Sequence, residues 1–185
     1  MVVVSWGAMS TDCVVLVGAG PLPELQMRRS AEALATGGTR ALISHAAGES
    51  PHDVLRYVAD QHVILRLNGD AARWHPQAGS WLEALADWNC PVLFLVGGEA
   101  DGGIPGSAAS YIALSQKLRV PLIGIAQVDG AWDATARRQD QLPWCGWIPA
   151  ANHPRHDDGR TALADVIRSG RLTASSARAA KSGQA

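Results

Sequence analysis

Several features that would assign a protein to a compartment or a class of partner are missing from this 185-residue sequence. No apolar run reaches the roughly 18 residues that span a bilayer, so no membrane partner is expected. Lysine and arginine (16) nearly balance aspartate and glutamate (17), which gives no electrostatic reason to expect nucleic acid or an anionic membrane. Cys13, Cys90 and Cys145 are far apart and form no CxxC pair. Disulfide frameworks and zinc ribbons are therefore disfavoured, and a cytoplasmic location is expected.

The length of the chain predicts one domain with a short segment on either side. Residues 1–8 lack the basic region of a signal peptide, and we interpret them as an N-terminal extension or a misassigned start before Met9. Residues 9–170 are predicted to form a single α/β domain. Residues 171–185, "RLTASSARAAKSGQA", have little apolar surface to bury and are predicted to be a disordered tail.

Short apolar runs alternate with segments of helical length along the whole chain. The runs do not alternate apolar with polar residues, which is typical of strands that are covered on both faces. They predict a three-layer α-β-α fold of P-loop NTPase-like or Rossmann-like type, with an open, mainly parallel sheet of five to six strands. The predicted strands are 13–18, 40–44, 62–67, 91–97, 121–128 and 144–148, and the predicted helices are 24–36, 51–60, 79–88, 106–118, 131–141 and 160–169.

The first predicted turn, "GAGPLPEL" (18–25), has the layout of a phosphate-binding loop but not its chemistry. In the pattern G-x-x-x-x-G-K-[ST], backbone N–H groups wrap the phosphates, the lysine neutralises them and the hydroxyl binds Mg²⁺. Counted from Gly18, the last three positions here are Pro23, Glu24 and Leu25. Gly18 and Gly20 remain candidate ligand-binding residues, although a structural role for this turn is favoured. Glu24 at the start of a helix stabilises the helix through its dipole.

The fourth predicted turn, "VGGEADGGIPGS" (96–107), is richer in glycine. Gly97, Gly98, Gly102, Gly103 and Ser107 are candidate ligand-binding residues, because N–H groups at a helix start can bind an anion or a ribose. Glu99 and Asp101 are candidate catalytic residues and weak candidate metal ligands, since two carboxylates repel phosphate unless Mg²⁺ lies between them. The alternative is a flexible loop capped by Ser107.

Other chemical motifs in the sequence are weak. In "NHPRHDD" (152–158), His153 and His156 have the wrong context for a metal site because Pro154 opposes a helix, so a polar loop is favoured. Ser44 and His45 are adjacent on a strand and point apart, and no G-x-S-x-G motif occurs. Hydrolase chemistry therefore has little support.

Tryptophan is abundant, with seven residues against one phenylalanine and two tyrosines. Trp81, Leu85 and Trp88 share one helix face, which usually indicates core. Because tryptophan is also frequent at interfaces, a homo-oligomer or a protein partner is the second interpretation.

The order of these elements resembles the dethiobiotin synthetase branch of the P-loop NTPases, which includes septum-site and cobyrinate-amidating ATPases. The similarity is clearest over 81–150, "WLEALADWNCPVLFLVGGEADGGIPGSAASYIALSQKLRVPLIGIAQVDG…QLPWCGWIPA", and it extends upstream to "VVLVGAG" and "HVILRLNGD". The resemblance implies an ATP-binding α/β fold in which Gln127, with Asp129 close behind, stands where the family reads the nucleotide base. Asp70 stands near the family's acidic magnesium strand.

What the family's catalysis requires is absent from the corresponding positions. Glu24 replaces the phosphate-binding lysine, Leu25 replaces the magnesium-binding hydroxyl, and the first lysine of the chain is Lys117. The leading hypothesis is therefore a protein with a degenerate ATP site that binds a small molecule, a nucleotide or a protein without classical hydrolysis.

Two other hypotheses stay open. The first is an active ATP-dependent ligase or transferase that uses the 97–107 loop, with Glu99, Asp101 or Asp129 holding magnesium or taking a proton. The second is a structural subunit of an oligomeric assembly. No bound cofactor or metal is expected under the leading hypothesis, and a magnesium-bound nucleotide is the alternative.

Overall fold

The structure is a computed structural model that describes residues 12–58 and 61–182, with side chains as far as residue 169. The proposed extension at 1–8 lies outside the described residues. Six parallel strands form one sheet in the order β2-β3-β1-β4-β5-β6, which confirms the predicted α/β class. The strands are β1 (Val14–Gly18), β2 (Ala41–Ala46), β3 (Val63–Asn68), β4 (Val92–Gly97), β5 (Leu122–Val128) and β6 (Trp144–Ile148).

A helix follows each strand, as the sequence predicts. The helices are α1 (Glu24–Gly37), α2 (Pro51–Val58), α3 (Trp81–Asp87), α4 (Ser107–Leu118), α5 (Ala134–Gln139) and α6 (His156–Ser182). Helix α3 starts in a capping box, in which the Ser80 hydroxyl accepts from the Glu83 N–H and the Glu83 carboxylate accepts from the Ser80 N–H. Among the described residues, no helix is long and apolar enough to cross a bilayer.

The last helix is longer than predicted at both ends. It begins at His156 and continues as helical backbone to Ser182, through most of the segment 171–185 for which the composition predicts disorder. Alanine and arginine, which recur in this segment, are strong helix formers, so local propensity favours continuing the helix even where there is little apolar surface.

The core lies in two layers, one on each face of the sheet. Alternate residues of β1 point to opposite faces, so Val15 and Val17 join one cluster while Val14 and Leu16 join the other. The first cluster includes side chains of α2, α3 and α4, and the second includes side chains of α1 and α6. Helices therefore cover both faces of the sheet, which is the predicted three-layer arrangement.

The strand order places a crevice at the carboxyl ends of β1 and β4. The chain leaves β1 toward β2 on one side of the sheet and leaves β4 toward β5 on the other side. Helices α1 and α4 follow these strands on opposite faces. In open parallel sheets, ligands bind at such a switch point.

Candidate functional site

The turn between β1 and α1 offers few backbone donors for a phosphate. Pro21 and Pro23 have no N–H, and the Ala19 N–H donates to the Leu95 carbonyl at 2.9 Å. Gly20 has a φ of +126°, and a Cβ built there would lie 2.3 Å from the Ser107 Oγ atom. The turn therefore lies directly against the start of α4, and only glycine fits at its tip.

The carboxylate of Glu24 pairs with an arginine that is buried in the sheet. Arg66 lies on β3, and its Nη1 contacts the Glu24 Oε1 atom while its Nε donates to the Ser44 Oγ atom at 3.1 Å. The Arg66 side chain is 7% exposed and that of Glu24 is 62% exposed. The pair therefore connects the interior of the sheet to the edge formed by the carboxyl ends of the strands, which is called the rim below. Glu24 therefore stands at the position where the phosphate-binding pattern has its lysine. Its carboxylate is exposed, and the guanidinium that pairs with it, that of Arg66, is buried in the sheet.

A cavity of about 420 Å³ opens beside this pair. Its polar side chains come from three parts of the chain, with Glu24 on α1, Asn68 and Asp70 at and just after the end of β3, and Ser107 and Tyr111 on α4. Its volume falls in the usual range of roughly 300–1,000 Å³ for small-molecule sites. The cavity brings together Gly18, Gly20, Asp70 and Ser107, which the sequence singles out from three separate turns.

Asp70 is held by hydrogen bonds to its Oδ1 atom. The Tyr111 hydroxyl and the Ala72 N–H both donate to that atom. Burial, together with the hydrogen bond to Asp70, raises the pKa of Tyr111, so the phenol stays protonated and donates to the carboxylate. The Ser107 hydroxyl donates to the Ala19 carbonyl at 3.4 Å. Ser107 is the first residue of α4 and is not its cap; Gly106 occupies the cap position without a side-chain hydrogen bond.

Four backbone N–H groups of the glycine-containing loop after β4 are hydrogen-bonded within the protein. The Gly98 N–H donates to Val128, the Glu99 N–H to Gly103, and the Gly102 N–H to Glu99. The Gly103 N–H donates to the Asp101 Oδ1 atom at 2.9 Å. These four N–H groups already have acceptors within the protein and are not free for an anion.

A buried arginine fixes the same loop from the side. Arg137 on α5 is 7% exposed, donates to the Gly102 carbonyl at 2.7 Å and lies 3.5 Å from Asp140. Its guanidinium carbon also lies 4.9 Å from the centre of the Trp144 ring. These contacts connect the loop to α5, and Ser107 does not cap α4 as the alternative interpretation of this loop expects.

Gln127 does not face the rim. It is fully buried, and its Nε2 atom donates to the carbonyls of Asp129 and Ala131, both at 2.9 Å. The amide therefore supports the turn after β5, and its donors are not free to pair with a nucleotide base. The Asp129 carboxylate accepts from Gln26 of α1 at 2.8 Å. Asp129 lines a second cavity of about 480 Å³ between α1 and the start of α6, apart from the cavity beside Glu24.

The remaining sequence candidates take separate partners. Ser44 accepts from Arg66, whereas the His45 Nδ1 atom lies 2.8 Å from the Glu49 carboxylate, so the two do not form a nucleophile pair. The His156 Nδ1 atom donates to the Pro149 carbonyl and the His153 ring packs against Trp147. Within residues 12–58 and 61–182, no group of three or more His, Cys, Asp and Glu side chains could hold a metal ion.

Arg66 and Tyr111 belong to the site although the sequence did not single them out. Arg66 carried a usable signal, because it is the one charged residue inside the apolar run "VILRL" (63–67). A charge in a strand covered on both faces needs a partner, and the nearest candidates lie at the strand ends. Tyr111 carried no comparable signal, since only the packing of α4 brings it to Asp70.

Comparisons with known proteins agree with the fold and give no closer relationship. No family model matches the chain, and no curated protein matches it. The chain is similar in structure to the Pyrococcus furiosus cell division ATPase MinD, with a TM-score of 0.54 and 9% sequence identity over 85% of this chain and 99% of that chain. At this identity the likeness shows a P-loop NTPase-like fold and does not show which branch of those proteins the chain resembles.

Proposed function

We propose that this chain is a P-loop NTPase-like protein with a degenerate ATP site, which acts as a ligand-binding or protein-binding component without ATP hydrolysis. The observation that carries the proposal is the ion pair between Glu24 and Arg66. Phosphoryl transfer depends on cations and N–H donors directed at the phosphates. Here the residue at the loop is an anion, and its cation is nearly fully buried behind it.

The accounting of backbone donors supports the same conclusion. Two prolines and the bond from Ala19 to Leu95 remove three N–H groups from 19–23, and four N–H groups of the loop after β4 are bonded within the protein. A triphosphate at this crevice would meet the carboxylates of Glu24 and Asp70 with few donors to compensate their charge. The fold is therefore compatible with a ligand at the crevice, and the chemistry of the lining opposes a nucleoside triphosphate.

Isothermal titration with Mg-ATP and Mg-GTP, together with a phosphate-release assay, tests the proposal. We expect no micromolar binding and no release above the buffer rate. The variant Glu24→Lys restores a lysine at the loop, and we expect it to remain inactive because Pro23 and Leu25 are unchanged and the new cation faces Arg66. Glu32→Lys, the same charge change at an exposed position of α1, is the matched control. Micromolar binding with hydrolysis by the unmodified protein would refute the proposal.

A ligase or transferase that uses the 97–107 loop is the rival function. Glu99 and Asp101 both lie in that loop, but four of its N–H groups are already hydrogen-bonded within the protein, which gives this function less support. If this function is correct, Glu99→Ala or Asp101→Ala abolishes an ATP-dependent activity without lowering the melting temperature. Retention of such an activity in both variants would count against a role for these carboxylates.

Association through exposed apolar side chains is the protein-binding form of the proposal. Trp74 is 63% exposed and Tyr57 is 70% exposed, which is unusual for aromatic residues on a monomer. Both are hot-spot residue types at interfaces. Sedimentation velocity at micromolar concentration is expected to show a homo-oligomer that Trp74→Ala weakens, and a monomer alone would argue against this form.

A further inference from the structure

The two edge strands of the sheet, β2 and β6, differ in how well the described part of the chain shields them. Strand β6 has an irregular register against β5 and lies between Pro143 and Pro149. The ring of Trp132 also packs against the rings of Trp144 and Trp147 on this strand. Bulges, prolines and covering side chains keep a sheet edge from pairing with another chain.

Strand β2 has none of these devices within its own six residues. The segment "ALISHA" (41–46) contains no proline and no Lys, Arg, Asp or Glu, and it pairs with β3 in one unbroken register. Every residue of β2 is at least partly exposed, whereas β1, β3 and β4 are buried up to their last residue. Because natural sheets rarely leave such an edge open, β2 is the edge that can accept a further strand.

The open hydrogen-bonding groups of β2 belong to Leu42 and Ser44. At the end of the strand the Ala47 N–H donates to a carbonyl of β3, whereas the N–H and the carbonyl of Ala46 both bond to Glu49. Because successive strand residues direct their N–H and C=O groups to alternate edges, Leu42 and Ser44 point the same way as Ala46, away from β3. No described residue bonds to these two N–H groups or to these two carbonyls.

These groups are complementary to the same groups of a second copy of the chain. In an antiparallel pair of β2 strands centred on Ile43, Leu42 of each copy lies opposite Ser44 of the other, and each such pair exchanges two N–H···O bonds. Every open group is then used, while sliding one strand by two residues leaves half of them unpaired. The two Ile43 residues form the central pair without hydrogen bonds, with Cα atoms about 4.5 Å apart.

The charges at the ends of β2 favour this antiparallel arrangement of identical strands. Arg40 comes directly before the strand, and the carboxylate of Glu49 accepts from the N–H of its last residue, Ala46. In the register centred on Ile43, Arg40 of each copy lies beside Ala46 of the other. Opposite charges therefore meet at both ends, whereas parallel pairing would bring like charges together.

An exposed tryptophan lies on the same side of the molecule as the end of β2. A cavity of about 440 Å³ lies between residues 48–50, which follow β2, and residues 75–78. Trp74 comes directly before the second segment and is 63% exposed. A six-residue edge is only about 20 Å long, so a stable dimer needs further buried area beside it. Tryptophan is a frequent source of such area.

We propose that two copies of this chain associate through β2, so that their two six-stranded sheets join into one continuous sheet. The proposal rests on the protein-binding form of the function proposed above, and it names the partner and the surface. An interface of this size is expected to be weak, with a Kd in the micromolar range.

Cysteine crosslinking of the full chain tests the register. Ile43→Cys places two thiols at the centre of the interface, where the separation of the Cα atoms suits a disulfide. Under mild oxidation we expect a disulfide-linked dimer on a non-reducing gel. Ala162→Cys, at an exposed position of α6, is the matched control. It should give no more dimer than the unmodified protein, whose own three cysteines set the background.

Sedimentation velocity from about 1 to about 200 µM measures the association. Ala46→Lys and Ala46→Glu change an exposed residue that faces Arg40 of the second copy. Because each change acts twice in a symmetric dimer, we expect the lysine to weaken association at least about tenfold, and the glutamate to preserve or strengthen it. Ala162→Lys, the same change on α6, should have no effect.

Hydrogen exchange of the unmodified protein gives a readout that needs no substitution. The amides of Leu42 and Ser44 should exchange more slowly at the high concentration than at the low one, because they are bonded only in the dimer.

A monomer alone at about 200 µM would overturn both this interface and the homo-oligomer proposed above. A dimer that Ile43→Cys does not crosslink above the control, or that Ala46→Lys leaves unchanged, would overturn the β2 interface. If Trp74→Ala weakens that dimer, the protein-binding form of the proposed function still stands. Hydrolysis of Mg-ATP would contradict the degenerate ATP site and leave the β2 interface as it is.

Discussion

The ion pair between Glu24 and Arg66 predicts that its two members contribute unequally to stability. The Arg66 side chain is 7% exposed, whereas that of Glu24 is 62% exposed. Glu24→Ala leaves a buried guanidinium with the Ser44 hydroxyl as its remaining bonded partner in the described part of the chain. Arg66→Met leaves a carboxylate that is already in water, and methionine fills most of the volume of the arginine stem. The first substitution should therefore cost more free energy of unfolding than the second.

The magnitudes follow from the burial of each partner. Removing one member of a fully buried pair costs about 3–5 kcal/mol, and the exposure of Glu24 lowers this to about 1–3 kcal/mol because water reaches that end of the pair. Losing the favourable position of Glu24 in the first turn of α1 adds about 0.3–1 kcal/mol. Arg66→Met loses an ion pair with one exposed member, which is worth about 0–1 kcal/mol. At their midpoints these costs differ by about 2 kcal/mol, which corresponds to about 4–8 °C in melting temperature for a domain of this size.

Urea unfolding of the two single variants and the double variant measures this asymmetry as a double-mutant cycle. In the Arg66→Met background no guanidinium is left without its partner, so Glu24→Ala should cost only the helix-dipole contribution of about 0.3–1 kcal/mol. Equal costs of Glu24→Ala in both backgrounds, or a larger cost for Arg66→Met than for Glu24→Ala, would refute the reasoning.

Three further predictions concern the turn before α1, a helix cap and the thiols. Gly20→Ala should lower the free energy of unfolding by about 1–3 kcal/mol, because the new Cβ clashes with the Ser107 Oγ atom and the residue has a φ of +126°. Ser107→Gly removes that oxygen and should partly restore the melting temperature. If it restores none of it, the clash is not the cause. Hydrogen bonds from the Ala136 and Thr135 N–H groups lower the pKa of Asp133 in the folded state, so its contribution is present above the unfolded pKa of about 3.9 and is lost as the pH falls through the folded value. Asp133→Ala should therefore lower the melting temperature at pH 7 and have less effect at strongly acidic pH, and an equal effect at both would contradict this. Burial raises the pKa of the Cys13 and Cys145 thiols to about 12, so only about 10⁻⁴ of each is ionised at pH 8; a thiol reagent should label them only after unfolding, and rapid labelling of the native protein would show that they are accessible.

The strands and most helices could be predicted because each is determined by local pattern. Runs such as "VVLVG" and "VLFLVG" are apolar without alternation, and they form β1 and β4 at the centre of the sheet. Glycines at 37–38 and prolines at 21 and 23 bound α1 within one residue of the prediction. The last helix differs because two local tendencies conflict there. The segment has few large apolar side chains but is rich in helix formers, and the helix continues to Ser182.

The site was predictable where a residue lies at the end of a strand or at the start of the helix that follows it. Gly18 ends β1, Gly20 and Asp70 lie just after β1 and β3, Ser107 begins α4, and all four line the cavity. Gln127 also belongs to a strand end, but its side chain turns inward to the carbonyls of the following turn, which periodicity cannot reveal. Tyr111 reaches the cavity from inside a helix, and its partner Asp70 is 41 residues away in sequence. Contacts of that kind depend on how helices pack on the sheet.

The positive charge next to this crevice lies on the buried side chain of Arg66, and the exposed member of the ion pair is the carboxylate of Glu24. A lysine in a phosphate-binding loop presents its ammonium at the rim, where a ligand can contact it. Here the cation is carried by β3 in the sheet interior, and the atom that reaches the rim is a carboxylate oxygen. Because interactions fall off with distance and with solvent screening, a ligand in the cavity meets the carboxylates before the guanidinium. The crevice of this chain therefore presents a carboxylate toward the cavity and keeps its cation on the neighbouring strand.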